Sequence, residues 1–206
     1  MLAITELECV RGERRLFDGL SFDVAPYSLL EVRGANGSGK TSLLRIICGL
    51  LLPTAGTVHW NSREIQSLGD EYRGEIAWLG HLNGVKDELT ARENLRYSVL
   101  TSGLRASETQ IDAALHRFGV DGFHDLPCKA LSQGQRRRVA LARLCLSAPR
   151  TLWILDEPFT ALDAGALAVA TELLESHMRA GGMLVLTTHQ EVALAAATIR
   201  RVELQS

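Results

Sequence analysis

Long apolar runs are missing from this 206-residue chain. No stretch approaches the roughly 18 consecutive apolar residues that a bilayer-crossing helix needs. The chain is therefore not expected to span a membrane, and any membrane role falls to a partner. An excess of one charge is missing too: 22 Lys and Arg face 24 Asp and Glu, a net charge of −2. That removes the general electrostatic case for a nucleic-acid partner. The densest basic run, Arg136-Arg137-Arg138, reads as the solvated face of a helix. Cysteines are few and scattered (Cys9, Cys48, Cys128, Cys145) with no C-x-x-C pair, so neither a zinc site nor a redox dithiol is indicated. The first residues, Met1 to Glu6, lack the basic-then-apolar layout of a signal peptide. Low-complexity tracts, repeats and linkers are also lacking. The length suits one sizeable α/β domain.

What the chain does have is concentrated at Gly34-Ala35-Asn36-Gly37-Ser38-Gly39-Lys40-Thr41. This is G-x-x-x-x-G-K-[ST], the phosphate-binding P-loop. Glycines let the backbone turn tightly and aim its N–H groups at phosphate oxygens. Lys40 can reach the β and γ phosphates, and the Thr41 hydroxyl can ligate Mg²⁺. Chance supplies such a pattern in roughly one chain of this length in a hundred. The flanks lower that further. Leu29, Leu30 and Val32 precede the loop as a short apolar run. Ser42 to Leu50 follow it with Leu43, Leu44, Ile46 and Ile47 at helical spacing. The chain is expected to bind a nucleotide. ATP coexists with reduced thiols, so the four cysteines read as free core thiols.

Elsewhere, residues 2–10 and 20–33 read as strands, with a turn at Pro26-Tyr27, and 57–60 and 75–79 as further short strands. From about 85 to 148 the pattern becomes helical. Thr90-x-x-Glu93 and Ser107-x-x-Gln110 have the spacing of capping boxes, and Gly119 reads as a stop. After about 149, β/α alternation returns. A strand at 151–155 precedes a helix from Asp163, Gly181-Gly182 breaks that helix, and Met183 to Leu186 form another buried strand. The order predicts a nucleotide-binding α/β core, 1–84 and 149–206, interrupted by a helical insertion.

Two more segments carry chemistry. Thr151-Leu-Trp-Ile-Leu-Asp156-Glu157 is an apolar run ending in two carboxylates, as suits a strand buried on both faces whose carboxyl end meets a ligand. Asp156 can hold Mg²⁺, and Glu157 can polarise an attacking water. Leu131-Ser132-Gln133-Gly134-Gln135 has two readings. It is a plain capping box, Ser132 to Gln135, and it is also a helix N-terminus suited to grip a phosphate.

The P-loop, LSQGQ, LDEP, Ala161-Leu162-Asp163, and a histidine ending Leu186-Thr187-Thr188-His189 occur in that order. Together they resemble the ATP-binding subunit of an ABC transporter across essentially the whole chain. The resemblance implies an ABC ATPase fold: a mixed sheet, an N-terminal antiparallel β subdomain and an inserted helical subdomain at about 85–148. It implies a head-to-tail dimer with ATP and Mg²⁺ held between two copies. Gly34 to Ser42 of one copy and Ser132, Gly134 and Gln135 of the other would clamp the same phosphates. Thr41 and Asp156 would hold the metal. Glu157 would be the general base, His189 would contact the γ-phosphate, and Asp163 would communicate across the dimer.

The chain departs from the family pattern at three places. Gln133 replaces a glycine of LSGGQ. His81, 41 residues after Lys40, stands where the family has a glutamine that contacts Mg²⁺ and the nucleophilic water. Arg11 stands where an aromatic residue usually stacks on adenine, and a guanidinium plane can also stack on a base. Phe17, the nearest aromatic, reads as core. Trp78-Leu-Gly-His81-Leu-Asn-Gly84-Val-Lys86, with LWILDEPFTALD and LTTHQ, is similar to the ATPase subunit of the haem exporter of bacterial cytochrome c maturation. That similarity implies an inner-membrane permease bound near His81 to Glu93. It also implies haem-handling maturation proteins as partners, and a place on the cytoplasmic face of the inner membrane. Cargo of another kind remains an alternative. A soluble ABC-type ATPase acting on ribosomes or DNA is disfavoured by the single cassette and the acidic balance. A P-loop GTPase or kinase is disfavoured because N-K-x-D is absent and LSQGQ would be unexplained.

Overall fold

A computed structural model describes residues 1–190, 194 and 198–204. β1 (Leu2–Arg11) turns Leu2, Ile4, Leu7 and Cys9 inward, and β2 (Arg14–Val24) pairs antiparallel with it. After Pro26-Tyr27, β3 (Ser28–Gly34) runs into the P-loop and α1 (Lys40–Ile47) leaves it. β4 (Ala55–Trp60) and β5 (Arg63–Glu64) form a hairpin. Its two connecting residues, Asn61 and Ser62, both have positive φ, as a type I′ turn requires. α2 (Ile65–Leu68) and α3 (Asp70–Glu75) lead into β6 (Ile76–Leu79).

Then come α4 (Ala91–Thr101), α5 (Glu108–Arg117), a 3-10 turn (Cys128–Ala130) and α6 (Gln133–Cys145). β7 (Leu152–Asp156), α7 (Ala164–Arg179), β8 (Met183–Thr187) and β9 (Thr198–Leu204) complete the described order. The capping boxes at Thr90, Ser107 and Ser132 all form, with side chain and backbone satisfied in both directions. Gly119 takes positive φ just past α5. Among the described residues no helix is long and apolar enough to cross a membrane.

The strands form two sheets, one antiparallel (β2-β1-β4-β5) and one parallel (β6-β7-β8-β3-β9). Parallel and antiparallel pairings are thus divided between sheets. In β7 the two-residue period of a strand splits the apolar run. Leu152 and Ile154 join α1 and the antiparallel sheet in one core. Trp153 and Leu155 join the helices on the other side in a second core. Both faces are covered, which is why β7 and β8 are apolar throughout. The P-loop strand β3 lies next to β8, and β8 next to β7, so their carboxyl ends open side by side.

Two sequence readings change. The Arg136-Arg137-Arg138 run is not one solvated face. Successive helical residues project about 100° apart, and each arginine meets a different part of the molecule. Arg136 reaches Asp87, Arg138 reaches Asp163, and Arg137 is 3 % exposed and points into the fold. The second change is β9, an edge strand with no apolar run to announce it. It pairs parallel with β3 along its length, and its Arg201 donates to the buried Glu31 of β3 at 2.9 Å.

Candidate nucleotide site

The P-loop needs glycine for two physical reasons. Gly34, Gly37 and Gly39 have φ of 143°, 80° and 101°, a region that side chains disfavour. A Cβ at Gly34 would also lie 2.6 Å from Ser38 Oγ and 2.7 Å from the Leu204 carbonyl. α1 begins at Gly39 without a side-chain cap, whereas α4, α5, α6 and α7 are each capped by their own Thr, Ser or Asp. Its first N–H groups are left for an anion. Lys40 donates to the carbonyls of Gly34 (2.8 Å) and Ala35 (3.1 Å), so its ammonium is held over the loop.

The loop borders a cavity of about 730 Å³. Asn36, Lys40, Thr41 and Ser42 line it from the P-loop and α1, Asp156 and Glu157 from the end of β7 and the turn after it, and His81 and His189 from the loops after β6 and β8. Arg11 of β1 and Leu16 of β2 line it from the antiparallel sheet. The Arg11 guanidinium donates to the Leu52 carbonyl at 3.2 Å. Phe17 is core, as expected.

Asp156 is 2 % exposed and fully engaged. It accepts from Thr41 Oγ1 at 2.8 Å and from Thr187 Oγ1 at 2.7 Å. Thr187 Oγ1 in turn accepts from the Glu157 N–H at 2.9 Å. Register explains the meeting: Asp156 pairs with Thr187 at the ends of neighbouring parallel strands. The Thr41 hydroxyl and Asp156 carboxylate are hard oxygen donors side by side. Among the described residues no three of His, Cys, Asp and Glu gather as a ligand set of their own. A Mg²⁺ that keeps phosphate and water ligands fits such a pair. Glu157 has φ of 51°, a left-handed backbone unusual for a side chain of its size. Its carboxylate lies 3.3 Å from His189 Nε2.

Arg137 holds this turn from behind, and sequence reading missed it. All five of its N–H groups find acceptors. They are the carbonyls of Asp156 (2.9 Å), Glu157, Pro158 (3.1 Å) and Gly80 (3.4 Å), and the Asn83 side-chain oxygen (2.9 Å). Burial pushes its pKa down to about 10, against the opposing pull of Asp156. Arg137 still carries its charge at neutral pH.

Ser132, Gly134 and Gln135 do not line this cavity. Ser132 is exposed at the tip of α6, with its hydroxyl accepting from the Gln135 N–H. Gly134 is needed there because a Cβ would lie 2.7 Å from the Ala161 carbonyl. Asp163 caps α7 through Ala166 N–H and pairs with Arg138 of α6. Thr187, Leu16 and Thr160 also belong to the site and were not singled out in the sequence. The register of β7 on β8 is the one signal that points to Thr187.

Comparison with known proteins agrees with this geometry. Residues 17–160 match the family model described as ABC transporter. A "Cytochrome c biogenesis ATP-binding export protein CcmA" from Nitrosomonas europaea is 51 % identical over 99 % of this chain and 95 % of its own. A solved ATP-binding subunit of an ABC transporter superposes with a TM-score of 0.82 at 25 % identity, over 91 % of this chain and 79 % of that one. A dimeric ATP-binding cassette in a post-hydrolysis state, bound to ADP and Pi, gives 0.85 at 22 % identity, over 100 % and 97 %. With a family model covering most of its length and a relative alike from end to end, this chain belongs to the ABC transporter family as an ATP-binding subunit.

Proposed function

We propose that this chain is the ATP-hydrolysing subunit of an export system in cytochrome c biogenesis. It works as a head-to-tail pair against an inner-membrane permease on the cytoplasmic side. The cargo reading, haem delivery with haem-handling partners, rests on similarity to the named export proteins. The paired arrangement is supported by one observation above all. The cavity gathers Lys40, Thr41, Asp156, Glu157 and His189, while the exposed Ser132 and the half-buried Gly134 stand outside it. A second copy facing the first would bring the missing phosphate grip, and the similar cassette bound to ADP and Pi is dimeric.

In this reading the residues divide the work. Loop N–H groups and Lys40 bind the phosphates, with Lys40 exchanging its carbonyl partners for phosphate oxygens. Thr41 and Asp156 hold Mg²⁺, which supplies charge neutralisation when bound. Glu157 accepts the proton of the attacking water. His189 orients Glu157 and meets the γ-phosphate. Val85, Lys86 and Leu89 face the permease.

Glu157→Gln tests the chemistry. It keeps the fold and the nucleotide, and turnover falls roughly 10²–10⁴-fold, the range of a lost general base. Turnover at the parent rate would refute the assignment. Affinity purification of the tagged chain from detergent-solubilised membranes tests the setting. A small polytopic permease with haem-bearing partners is expected. A permease without haem discards the cargo, and recovery with ribosomes or DNA overturns the transporter reading.

A further inference from the structure

Arg137 spans two structures that otherwise approach the cavity from different sides. One is the turn Asp156-Glu157-Pro158, whose three carbonyls it binds. The other is the segment Gly80–Asn83 after β6, which carries His81 into the cavity and Leu82, 83 % exposed, out into solvent. There it binds the Gly80 carbonyl and the Asn83 side chain. The Asn83 and Gly84 carbonyls are held separately by Arg143, at 2.6 and 3.2 Å. The segment thus stands on α6 at two points, and only the Arg137 point continues to Glu157.

We infer that Arg137 is a positioning residue that locks the Gly80–Asn83 segment to the Glu157 turn, so that displacement of the segment reaches the water-activating carboxylate. The geometry supplies the means. A guanidinium is a rigid planar fork, so its two ends cannot shift independently. Glu157 sits in a left-handed backbone that its side chain disfavours. Such a turn persists only while its surroundings hold it. The three carbonyl contacts hold it, and the Asn83 arm makes that hold depend on where the segment lies. Buried at 3 % exposure, Arg137 does not itself line the cavity and meets it only through backbone carbonyls, those of Asp156 and Glu157, so it acts by positioning the turn.

The inference rests on Glu157 as the group that activates water. Its test uses the full chain with Asn83→Ala, Arg137→Gln, Arg137→Lys and the double variant Asn83→Ala/Arg137→Gln. Turnover against ATP concentration is measured beside equilibrium binding of a fluorescent ATP analogue. Arg137→Gln is expected to lower kcat by about tenfold or more while nucleotide affinity stays within about twofold, because a misplaced carboxylate costs rate and not binding. Arg137→Lys keeps the charge without the fork, and its kcat stays low. Asn83→Ala cuts only the outer arm, leaves the Arg143 contacts intact and lowers kcat by about threefold. In the Arg137→Gln background it adds nothing, since both changes break one link.

Independent, multiplicative effects of the two substitutions would overturn the inference, as would an Asn83→Ala variant with the parent kcat. Glu157→Gln run in parallel separates the two readings. If it retains turnover, the role of Glu157 is wrong. If it is inactive while Arg137→Gln turns over normally, only the role of Arg137 is wrong.

Discussion

Thr187 does two jobs with one oxygen, donating to Asp156 and accepting from the Glu157 N–H. It is fully buried at the end of β8, so neither partner has water as a substitute. Thr187→Val keeps the shape and removes both bonds. Leaving a buried carboxylate oxygen and a backbone N–H short of a partner costs about 1–3 kcal/mol. Urea denaturation is expected to show a loss of that size, and nucleotide-dependent Mg²⁺ affinity falls with it. A variant as stable as the parent would mean that Asp156 finds another donor. Lys40 marks the other end of the residue scale. Its ammonium already sits over the loop carbonyls, so Lys40→Ala removes the charge that meets the phosphates. Equilibrium nucleotide binding weakens, in contrast to Glu157→Gln, which keeps it.

At the scale of elements, α5 and α6 begin with the same capping box, one at Ser107 and one at Ser132. Local structure treats the two serines alike. Each Ser→Ala change loses a side-chain acceptor for an N–H of the first turn and costs about 1 kcal/mol. The phosphate-gripping reading treats them differently. Both Ser107→Ala and Ser132→Ala are expected to lower the unfolding midpoint similarly, and only Ser132→Ala lowers ATP turnover. Equal turnover in the two would reduce LSQGQ to a helix cap. Gly134 sharpens the contrast. A Cβ there meets the Ala161 carbonyl, and Ala161 itself has positive φ (62°), so that loop has little room to retreat. Gly134→Ala is expected to leave nucleotide binding by the single chain intact and to impair turnover.

On the whole-molecule scale, the pH response of stability depends on a residue far from the chemistry. His177 of α7 stacks on Trp153 of β7, with ring centroids 3.9 Å apart, and is buried in the helical core. Burial lowers its pKa to about 4, against the pull of the Met183 and Thr151 backbone groups. Folded chains therefore keep His177 neutral where unfolded chains protonate it. Between about pH 6.5 and pH 4 the unfolded state binds more protons, so stability falls as pH drops through that window and is unaffected above it. The contribution is at most about 3 kcal/mol. His177→Gln is expected to flatten this part of the stability curve, measured by denaturant unfolding at several pH values. An unchanged slope would place the acid sensitivity elsewhere.

Much of the molecule was legible because local chemistry writes it directly. The P-loop glycines answer to positive φ, the capping boxes to unpaired N–H groups, and the apolar β7 and β8 to burial on both faces. β9 was illegible because its place at the sheet edge rests on parallel pairing with β3, between residues 170 apart. Arg137 was illegible for a related reason. Three consecutive arginines look identical in sequence, and a helix turns each one about 100° from the last. The sequence by itself determined the nucleotide loop, the acidic strand end and the order of motifs, since each depends on neighbours within a few residues. Only the tertiary structure decided that Thr187 bridges the Asp156 carboxylate and the Glu157 N–H, that Ser132 stands outside the cavity, and that Arg137 points inward. Those outcomes depend on strand register and helix packing, which act between residues distant in the chain.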